Sequence, residues 1–328
     1  MGISISVIIS AYNRKTFVIH AVNSVLNQSL NRDYFEIIVT KNFKDEGIDK
    51  YLMDNSVKII DSGQVGQGRQ LYDALLVAEG EVIALLDDDD LFLENKLEYM
   101  LNNFNSNEQL IYVHNQYLNL KGTKLIDKTI YKDIKYNVLI HDSNVRTLKK
   151  YYRFGIYSNS SSICFRKNFI LKYSQILVKT EFRIDFLILF LALIEEGDLL
   201  FTNKKLTIYR VHDSDSHTIM WDKIIDRRKT VINSWNKTNL LLLDFIKKKD
   251  IVELIKVDSS IQRLNLEILG VNEGITFEDF KNLLKYLNLN RNTYSLFVFC
   301  FYVISKFSKD LSKCLLRNIL QRYYKDFY

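Results

Sequence analysis

Residues 81–92 read EVIALLDDDDLF, a short apolar segment that ends in four consecutive aspartates. A buried parallel strand has this form, because its continuous apolar run delivers the last side chains to the rim of the sheet. Open α/β sheets bind their ligands at that rim. We therefore predict a buried strand that ends near Asp87 and a binding site at its carboxyl end.

The four carboxylates restrict the chemistry of this site. Adjacent negative charges repel one another, so a folded protein keeps them together only with a cation or hydrogen-bond donors nearby. Mg²⁺ and Mn²⁺ suit oxygen ligands and are commonly shared between carboxylates and substrate phosphates. The group therefore favours a metal or phosphate role. For Asp88 or Asp90 taken alone, capping of the following helix or simple solvent exposure remains open.

The chain before the aspartates alternates between strand and helix patterns. Strand patterns occupy residues 3–10, 35–39 and 57–60, and residues 16–28 place apolar side chains on one face of a helix. The glycine-rich turn Gly66-Gln67-Gly68 leads into a helix from about Arg69, for which Gly80 is the expected C-cap. Such a turn at a helix start can bind phosphate through its backbone amides, but by itself it is more often only a turn. This alternation predicts a doubly wound α/β layer.

The chain after the aspartates continues with strand patterns at 110–120, 160–166, 199–201 and 206–212. His114 lies among apolar neighbours, which favours a hydrogen-bonded core histidine over a ligand. Asp185 begins the most apolar helix pattern, so it is an N-cap, a working carboxylate or both. Beyond about Thr218 the pattern is helical and basic. We expect a domain at 1–217 followed by a helical region at 218–328.

Composition narrows the class of protein. The 328 residues are 47% apolar and 26% charged, as in an ordinary globular protein, and the net charge is +6. That charge suits a phosphate-bearing ligand or an anionic membrane face, but without a concentrated basic block it does not indicate nucleic acid. The three cysteines are widely spaced, which favours neither disulfides nor zinc and makes a reducing cytosol the expected compartment.

Membrane insertion is not expected from the sequence. No apolar run reaches the roughly 18 residues that span a bilayer, and the first residues read as a strand rather than a signal peptide. The last stretch, residues 294–328, mixes aromatic and basic side chains. It either lies on an anionic membrane surface or packs on the domain with a solvated basic face, and both interpretations stay open.

Several segments together resemble glycosyltransferase family 2, the large inverting group with the nucleotide-sugar-binding GT-A fold. Residues 7–14, VIISAYNR, resemble the first strand and its Tyr-Asn turn, and residues 78–90, AEGEVIALLDDDD, resemble the Ala-x-Gly-Glu strand with its D-x-D signature. Residues 160–166 resemble the later acceptor-side strand, and Ile184-Asp185 resembles the segment with the catalytic acidic residue. The YRVH segment at 209–212, with Ser214 and Ser216, resembles the Tyr-Arg-x-His segment. The resemblance covers residues 3 to about 217 in order.

The resemblance implies a fold and a set of roles. The fold would be α/β, a GT-A-type doubly wound mixed sheet flanked by helices, with a helical C-terminal extension. Asp185 would be the general base, with Glu181 as its rival. The resemblance further assigns metal ligation to Asp87, Asp89 and His212, and nucleotide binding to Ala11, Tyr12, Arg14, Thr40, Arg69 and Asp88.

The implied activity is transfer of one sugar from a UDP- or GDP-sugar, with Mn²⁺ or Mg²⁺, to a glycan or lipid-linked acceptor at the cytoplasmic membrane face. The family usually has acidic residues after the second strand, where this chain has Thr40-Lys41-Asn42, so the nucleobase stays open. Two alternatives remain. One is a haloacid-dehalogenase-like phosphatase with Asp87 as nucleophile. The other is a nucleotide-sugar-binding module without catalysis.

Overall fold

A computed structural model describes residues 2–63, 66–126, 134–141, 149, 159–211, 221–269, 271, 274–290, 296, 299–300, 302–304 and 308, except the side chains of 221–225, 227–228 and 290. The chain divides into two compact units. The first unit is Met1–Leu148 with Gly155–Arg210, and the second is Lys149–Phe154 with Val211–Tyr328. The expected boundary at 217/218 lies outside the described residues.

One mixed sheet forms the centre of the first unit. In the described part of the chain its ten strands are β1 (Ile5–Ala11), β2 (Phe35–Lys41), β3 (Lys58–Asp61), β4 (Val82–Asp87), β5 (Leu91–Phe92), β6 (Leu110–Lys121), β7 (Lys124–Ile126), β8 (Val138–Ile140), β9 (Ile163–Arg166) and β10 (Asp198–Val211). Their order is β3-β2-β1-β4-β9-β6-β10-β5, with β7 beside β6 and β8 beside β10.

The parallel strands β3, β2, β1 and β4 bring their carboxyl ends to one edge of the sheet. β1 lies between β2 and β4, and Ser10 is in register with both Thr40 and Asp87. β9 runs antiparallel beside β4 with Ala84 opposite Cys164. Because β9 begins at Ile163, the residues just before it reach the same edge as Asp87. The strand predicted to end near Asp87 therefore ends there.

Helices cover the sheet of the first unit and bury apolar faces against it. α1 (Val18–Leu26) buries Val18, Ala21, Val22 and Val25. In α7 (Ile184–Ala192) every residue except Asp185 is buried, which explains why its sequence is apolar all round. The helices of this unit are α1 (Val18–Leu26), α2 (Glu46–Asp54), α3 (Gln67–Val77), α4 (Lys96–Ser106), α5 (Lys167–Leu171), α6 (Ser174–Leu177) and α7 (Ile184–Ala192).

Four local features differ from the sequence-based expectation. A helix, α2, connects β2 to β3, where none was predicted; its N-cap is Asp45, whose carboxylate accepts from the Ile48 N–H at 3.1 Å. The strand predicted at 160–166 begins as a 3₁₀ turn, Ser160–Ser162, before β9. The two strands predicted at 199–201 and 206–212 form one long strand, β10, through residue 211.

The fourth difference concerns Gly80, which is not a helix C-cap. α3 ends at Val77, and the Gly80 N–H donates to Ser6 Oγ at 2.9 Å. A Cβ at this position would lie 2.5 Å from the backbone nitrogen of Ser6. Gly80 is therefore required by the close approach of two backbone segments, where any side chain would force them apart.

The second unit is helical, as the sequence predicted for the C-terminal region. Its described helices are α8 (Trp221–Phe245), α9 (Lys249–Ile268) and α10 (Phe277–Asn290). Ile261, Leu264 and Leu283 are among the buried residues of its apolar core. Among the described residues no helix has both the length and the apolar character needed to cross a membrane. Almost all of the basic, aromatic stretch at 294–328 lies outside the described residues.

Candidate active site

The aspartates at the end of β4 are held by the 3₁₀ turn that precedes β9. Ser160 Oγ donates to Asp87 Oδ2 at 2.6 Å, and Ser161 Oγ donates to Asp90 Oδ2 at 2.6 Å. The same Ser161 oxygen accepts from the Asp87 N–H at 2.9 Å. Asp90 also accepts from the Arg210 N–H of β10 at 2.9 Å. Neutral donors from the 3₁₀ turn and from β10 thus fix the first and last carboxylates of the run.

Arg14 supplies the cation for the middle two aspartates. Its Nε and Nη2 atoms donate to the two oxygens of Asp88 at 3.0 and 2.6 Å, and Nη2 lies 2.8 Å from an oxygen of Asp89. A guanidinium matches a carboxylate in this two-point geometry. Arg14 and Asp88, both predicted to bind nucleotide, therefore contact each other across 74 positions of sequence.

Burial and mutual repulsion raise the carboxyl pKa values of this site. Burial, followed by the charge of Asp89, raises the pKa of Asp87 to about 7. Burial, again with Asp89 as the next cause, raises the pKa of Asp90 well above its usual value. The pKa of Asp88 is also raised by burial, although Arg14 opposes that shift. A bound cation would reverse these shifts because it favours the ionised carboxylates.

Asp185 is joined to the aspartates through a short backbone segment. It lies in the first turn of α7, where the N–H groups of Phe186 and Asn159 donate to its carboxylate. Asn159 directly precedes Ser160 and Ser161, which bind Asp87 and Asp90. We call residues 159–161 the bridging tripeptide, since its three members contact three carboxylates. Burial raises the pKa of Asp185, and the Asp185 charge in turn raises the pKa of Asp87.

The carboxylates fit a divalent metal ion. Asp87, Asp89 and Asp90 each offer an oxygen, and these atoms lie within 4.8 Å of one another. Three carboxylate oxygens form the donor set that Mg²⁺ and Mn²⁺ prefer. Asp87 and Asp89 were expected in this set from the sequence. His212, the third predicted ligand, lies outside the described residues.

The remaining nucleotide-binding candidates lie near the same edge but differ in exposure. Ala11 ends β1 and is buried, while Tyr12 after it is 43% exposed. Thr40 is buried in β2, and its hydroxyl donates to Ile9 O at 3.4 Å. Arg69 lies on α3 with its side chain 51% exposed and paired with Asp73 at 2.8 Å. Tyr12 is thus exposed at this edge of the sheet, whereas Ala11 and Thr40 are buried.

The turns after β1 and β2 are joined by reciprocal amide hydrogen bonds. The Asn13 N–H donates to Asn42 Oδ1 at 2.7 Å, and Asn42 Nδ2 donates to Asn13 Oδ1 at 3.0 Å. Asn13 has a φ of +55°, a left-handed conformation that asparagine adopts more readily than most residues. This pair fixes the direction of the turn that carries Tyr12.

The glycine-rich turn before α3 is not a phosphate cradle. The N–H groups of Gln67 and Gly68 donate to Glu181 O at 2.9 Å and Thr180 O at 3.0 Å. These amides are therefore already used in joining α3 to the segment before α7. The glycines allow that backbone approach, since a Cβ on Gly68 would lie 1.9 Å from Leu177 O.

A buried lysine below the aspartates was missed by the sequence analysis. Lys96 begins α4 and is 0% exposed. Burial lowers the pKa of Lys96 to about 8, and the nearby Asp90 carboxylate partly opposes that shift. No sequence pattern marks it, because a lysine in the first turn of an amphipathic helix is expected to be solvent-exposed. The contribution of Asp90 to the oxygen set was likewise not predicted.

Comparison with known proteins gives a consistent family match. Residues 6–170, half of the chain, match the family model described as Glycosyl transferase family 2. An uncharacterized glycosyltransferase of Rickettsia bellii is 33% identical over 117 residues, which is 34% of this chain and 16% of that protein. Another, from Nostoc sp., is 31% identical over 129 residues, 38% of this chain and 40% of that protein. The chain thus spans well under half the length of these relatives.

Solved structures agree at the level of the fold. The crystal structure of S. aureus TarS 1-349 in complex with UDP-GlcNAc superposes with a TM-score of 0.53 at 12% identity, covering 89% of this chain and 93% of that one. Identity this low supports a shared fold alone. The mixed sheet with its flanking helices is of the GT-A type, and the α/β prediction with C-terminal helices is confirmed.

Proposed function

The chain belongs to glycosyltransferase family 2, and from that membership we propose that it is a metal-dependent inverting glycosyltransferase. One observation carries this proposal. Asp87, Asp89 and Asp90 offer oxygens within 4.8 Å of one another, and the bridging tripeptide joins this cluster to Asp185. A group of carboxylates suited to a cation and a separate carboxylate thus support the proposal at the edge of the sheet where open α/β folds bind ligands.

The two groups divide the chemistry. Asp87, Asp89 and Asp90 would hold Mn²⁺ or Mg²⁺, which neutralises charge on a departing nucleoside diphosphate. Asp185 accepts the proton of the acceptor hydroxyl as its oxygen bonds to the anomeric carbon and the bond to the diphosphate oxygen breaks. A single displacement of this kind inverts the anomeric centre. The half-buried Asp185, whose charge acts on Asp87, is favoured over the exposed Glu181 as the base.

The proposed donor is a nucleotide sugar. TarS, which shares the fold, was crystallised with UDP-GlcNAc, so a UDP-sugar is the first donor to test and a GDP-sugar the second. Tyr12 is exposed at the edge of the sheet and would stack on the base. Arg14, already paired with Asp88, would contact the diphosphate. We further propose nucleotide binding for Ala11, Thr40 and Arg69, and a contact with the metal or the diphosphate for His212.

The proposed acceptor is a glycan or a lipid-linked glycan at the cytoplasmic membrane face. The net charge of +6 suits an anionic surface or a phosphate-bearing acceptor. The domain division at 217/218 and surface contact by the C-terminal region belong to the same proposal. Sedimentation with vesicles that contain anionic lipid, compared with neutral vesicles, tests the membrane part separately from catalysis.

A donor screen tests the main proposal. We expect thermal denaturation to shift upward with a UDP- or GDP-sugar plus Mn²⁺, because a ligand of the native state stabilises it by mass action. Asp89→Ala should lose the metal-dependent part of that shift, and the exposed Asp54→Ala on α2 is the control. A folded protein that neither binds nor turns over any nucleotide sugar would contradict the proposal.

The two alternative functions give different results. A phosphatase with Asp87 as nucleophile would form an aspartyl phosphate, and the family match now gives that interpretation no support. A binding module without catalysis would show the thermal shift but no transfer to any acceptor in a broad panel. Nucleotide binding alone therefore does not establish transfer, and the donor screen must include a product assay.

A further inference from the structure

Lys96 occupies a position that is costly for a lysine. It is fully buried in the first turn of α4, where the helix dipole opposes a positive charge. A buried ammonium needs compensating contacts. Lys96 Nζ has three such contacts: Ser161 O at 2.5 Å, Thr207 Oγ1 at 3.0 Å and the ring of Phe92 at 3.8 Å from its centroid.

Both hydrogen-bond acceptors of Lys96 belong to the support of the acidic cluster. Ser161 binds Asp87 and Asp90 through its hydroxyl, while its carbonyl accepts from Lys96. Thr207 Oγ1 donates to the same Ser161 carbonyl at 2.9 Å and accepts from Asn115 at 3.0 Å. Lys96 and Thr207 therefore hold the Ser161 carbonyl, while the Ser161 hydroxyl forms the hydrogen bonds to Asp87 and Asp90.

The contact between Lys96 and Ser161 affects the carboxylates because Ser161 belongs to the bridging tripeptide. A rotation of the Ser161 peptide would move the hydroxyl away from Asp87 and Asp90 and disturb Asn159, whose N–H reaches Asp185. Partners behind the ligands of a metal site orient those ligands, and their loss typically weakens metal binding by about 10- to 100-fold. Lys96 acts one residue further back, through the peptide that supplies such a partner.

Resting on the proposed function, we propose that Lys96 is a positioning residue: through the Ser161 peptide it holds Asp87 and Asp90 in the orientation that binds the divalent cation. Its role is indirect, since it touches none of the carboxylates in the described contacts. The role is also distinct from simple electrostatics. A positive charge near a cation site weakens cation binding, so removal of the charge alone would tighten it.

This difference in sign gives the test. Lys96→Met keeps the length of the side chain but removes the charge and both hydrogen bonds. We expect the dissociation constant for Mn²⁺ alone, measured from the electron paramagnetic resonance of the free ion, to rise about tenfold. A purely electrostatic effect would lower that constant, and a purely structural lysine would leave it unchanged while lowering the thermal stability. Either of these two results overturns the proposal.

Arg166 provides a matched control at the other end of β9. Its guanidinium also donates to backbone carbonyls, Leu110 O and Phe104 O at 2.9 Å each, and lies 5.4 Å from the ring centroid of Phe104. It pairs in register with Val82 at the start of β4, away from the aspartates. Arg166→Met should lower thermal stability and leave Mn²⁺ affinity within about twofold, because no ligand depends on it.

A second variant covers the case in which Lys96→Met does not fold. Thr207→Val has nearly the same shape and removes only the hydroxyl that Lys96 and Ser161 share. It should weaken Mn²⁺ binding in the same direction, by about three- to tenfold, and unchanged Mn²⁺ affinity in this variant would overturn the proposal. Wild-type protein that binds Mn²⁺ but transfers no sugar would refute the proposed function and leave the Lys96 proposal standing.

Discussion

At the scale of the residue, the carboxylates of the site differ in the groups that donate hydrogen bonds to them. Asp88 and Asp89 are paired with Arg14, whereas Asp87 and Asp90 receive hydroxyl and amide donors. Asp185 receives backbone N–H groups from its own helix and from Asn159. Different donors allow neighbouring carboxylates to have different tasks, since the partners set each pKa and orientation.

Asp185→Asn tests the assignment of the base. The amide cannot accept the acceptor proton, and loss of general base catalysis typically costs a factor of about 10² to 10⁴ in rate. We expect kcat to fall by that order, with Mn²⁺-dependent donor binding retained in a calorimetric titration. The matched variant is Glu181→Gln, four residues earlier. Full activity of Asp185→Asn together with loss in Glu181→Gln would move the role of base to Glu181.

At the scale of the element, the first unit depends on close backbone approaches around α3 and α7. The first residues of α3 donate to carbonyls at Thr180 and Glu181, just before the helix that carries Asp185. The chain can make these contacts only because Gly66 and Gly68 have no side chains. The position of Asp185, the proposed base, is therefore set partly by a turn far from it in sequence.

Gly68→Ala tests that packing. The added methyl group would lie 1.9 Å from Leu177 O, which is backbone, so the segments must separate at a cost of about 3 kcal/mol. Gly47→Ala in α2 is the control, since its Cβ would meet only Asp45 Oδ1 at 3.5 Å, and we expect stabilisation of up to about 1 kcal/mol. Urea unfolding measures both. Equal stabilities of Gly68→Ala and wild type would show that the approach is unimportant.

At the scale of the whole molecule, the two units contain buried carboxyl groups with opposite pKa shifts. In the first unit the pKa of Asp87 is raised to about 7. In the second unit, burial alone would raise the pKa of Asp279, but hydrogen bonds from Thr276, and the charge of Arg263, give a net lowering. These two carboxyl groups should therefore contribute to the pH dependence of stability with opposite signs.

In the first unit without metal, a carboxyl group with a raised pKa stabilises the folded state at pH values below its unfolded pKa. That stabilisation is lost as the pH rises through its folded pKa. Between about pH 4 and pH 7 the Asp87 contribution should fall by about 2 to 4 kcal/mol. Asp87→Asn should remove the Asp87 part of this slope when unfolding by urea is followed in EDTA by circular dichroism, while the raised pKa values of Asp88, Asp90 and Asp185 keep the rest. Added Mn²⁺ should reduce the slope in wild type. The same slope in both proteins would contradict the Asp87 assignment.

For the second unit, the lowered pKa of Asp279 gives stability that is present above the unfolded value, 3.8, and is lost as pH falls through the folded value below it. Asp279→Asn should therefore cost about 2 kcal/mol at neutral pH, and the difference from wild type should disappear in acid. Both tryptophans of the chain, Trp221 and Trp235, belong to α8, so tryptophan fluorescence reports on this unit. A difference that persists in acid would contradict the assignment.

The sequence by itself determined the class of fold and the position of the site. Local sequence patterns can be recognised without any knowledge of the tertiary structure. The apolar runs of β1, β2 and β4 are such patterns, and so is the run of aspartates at the end of β4. The family's motifs occur in order, which is enough to assign the family. The core strands and the end of β4 were therefore predictable to within a residue or two, as were Asp87 and Asp89 as members of the acidic cluster.

Only the tertiary structure decided how those residues are supported. The bridging tripeptide, the Arg14 pairs, the close approach at Gly68 and the burial of Lys96 each join residues that are tens of positions apart. No local period encodes such pairs, because they arise from the register between strands and from which helix face is covered. From the sequence Lys96 is expected at the surface, but it is a buried cation because the 3₁₀ turn before β9 and strand β10 bring Ser161 and Thr207 into contact with it.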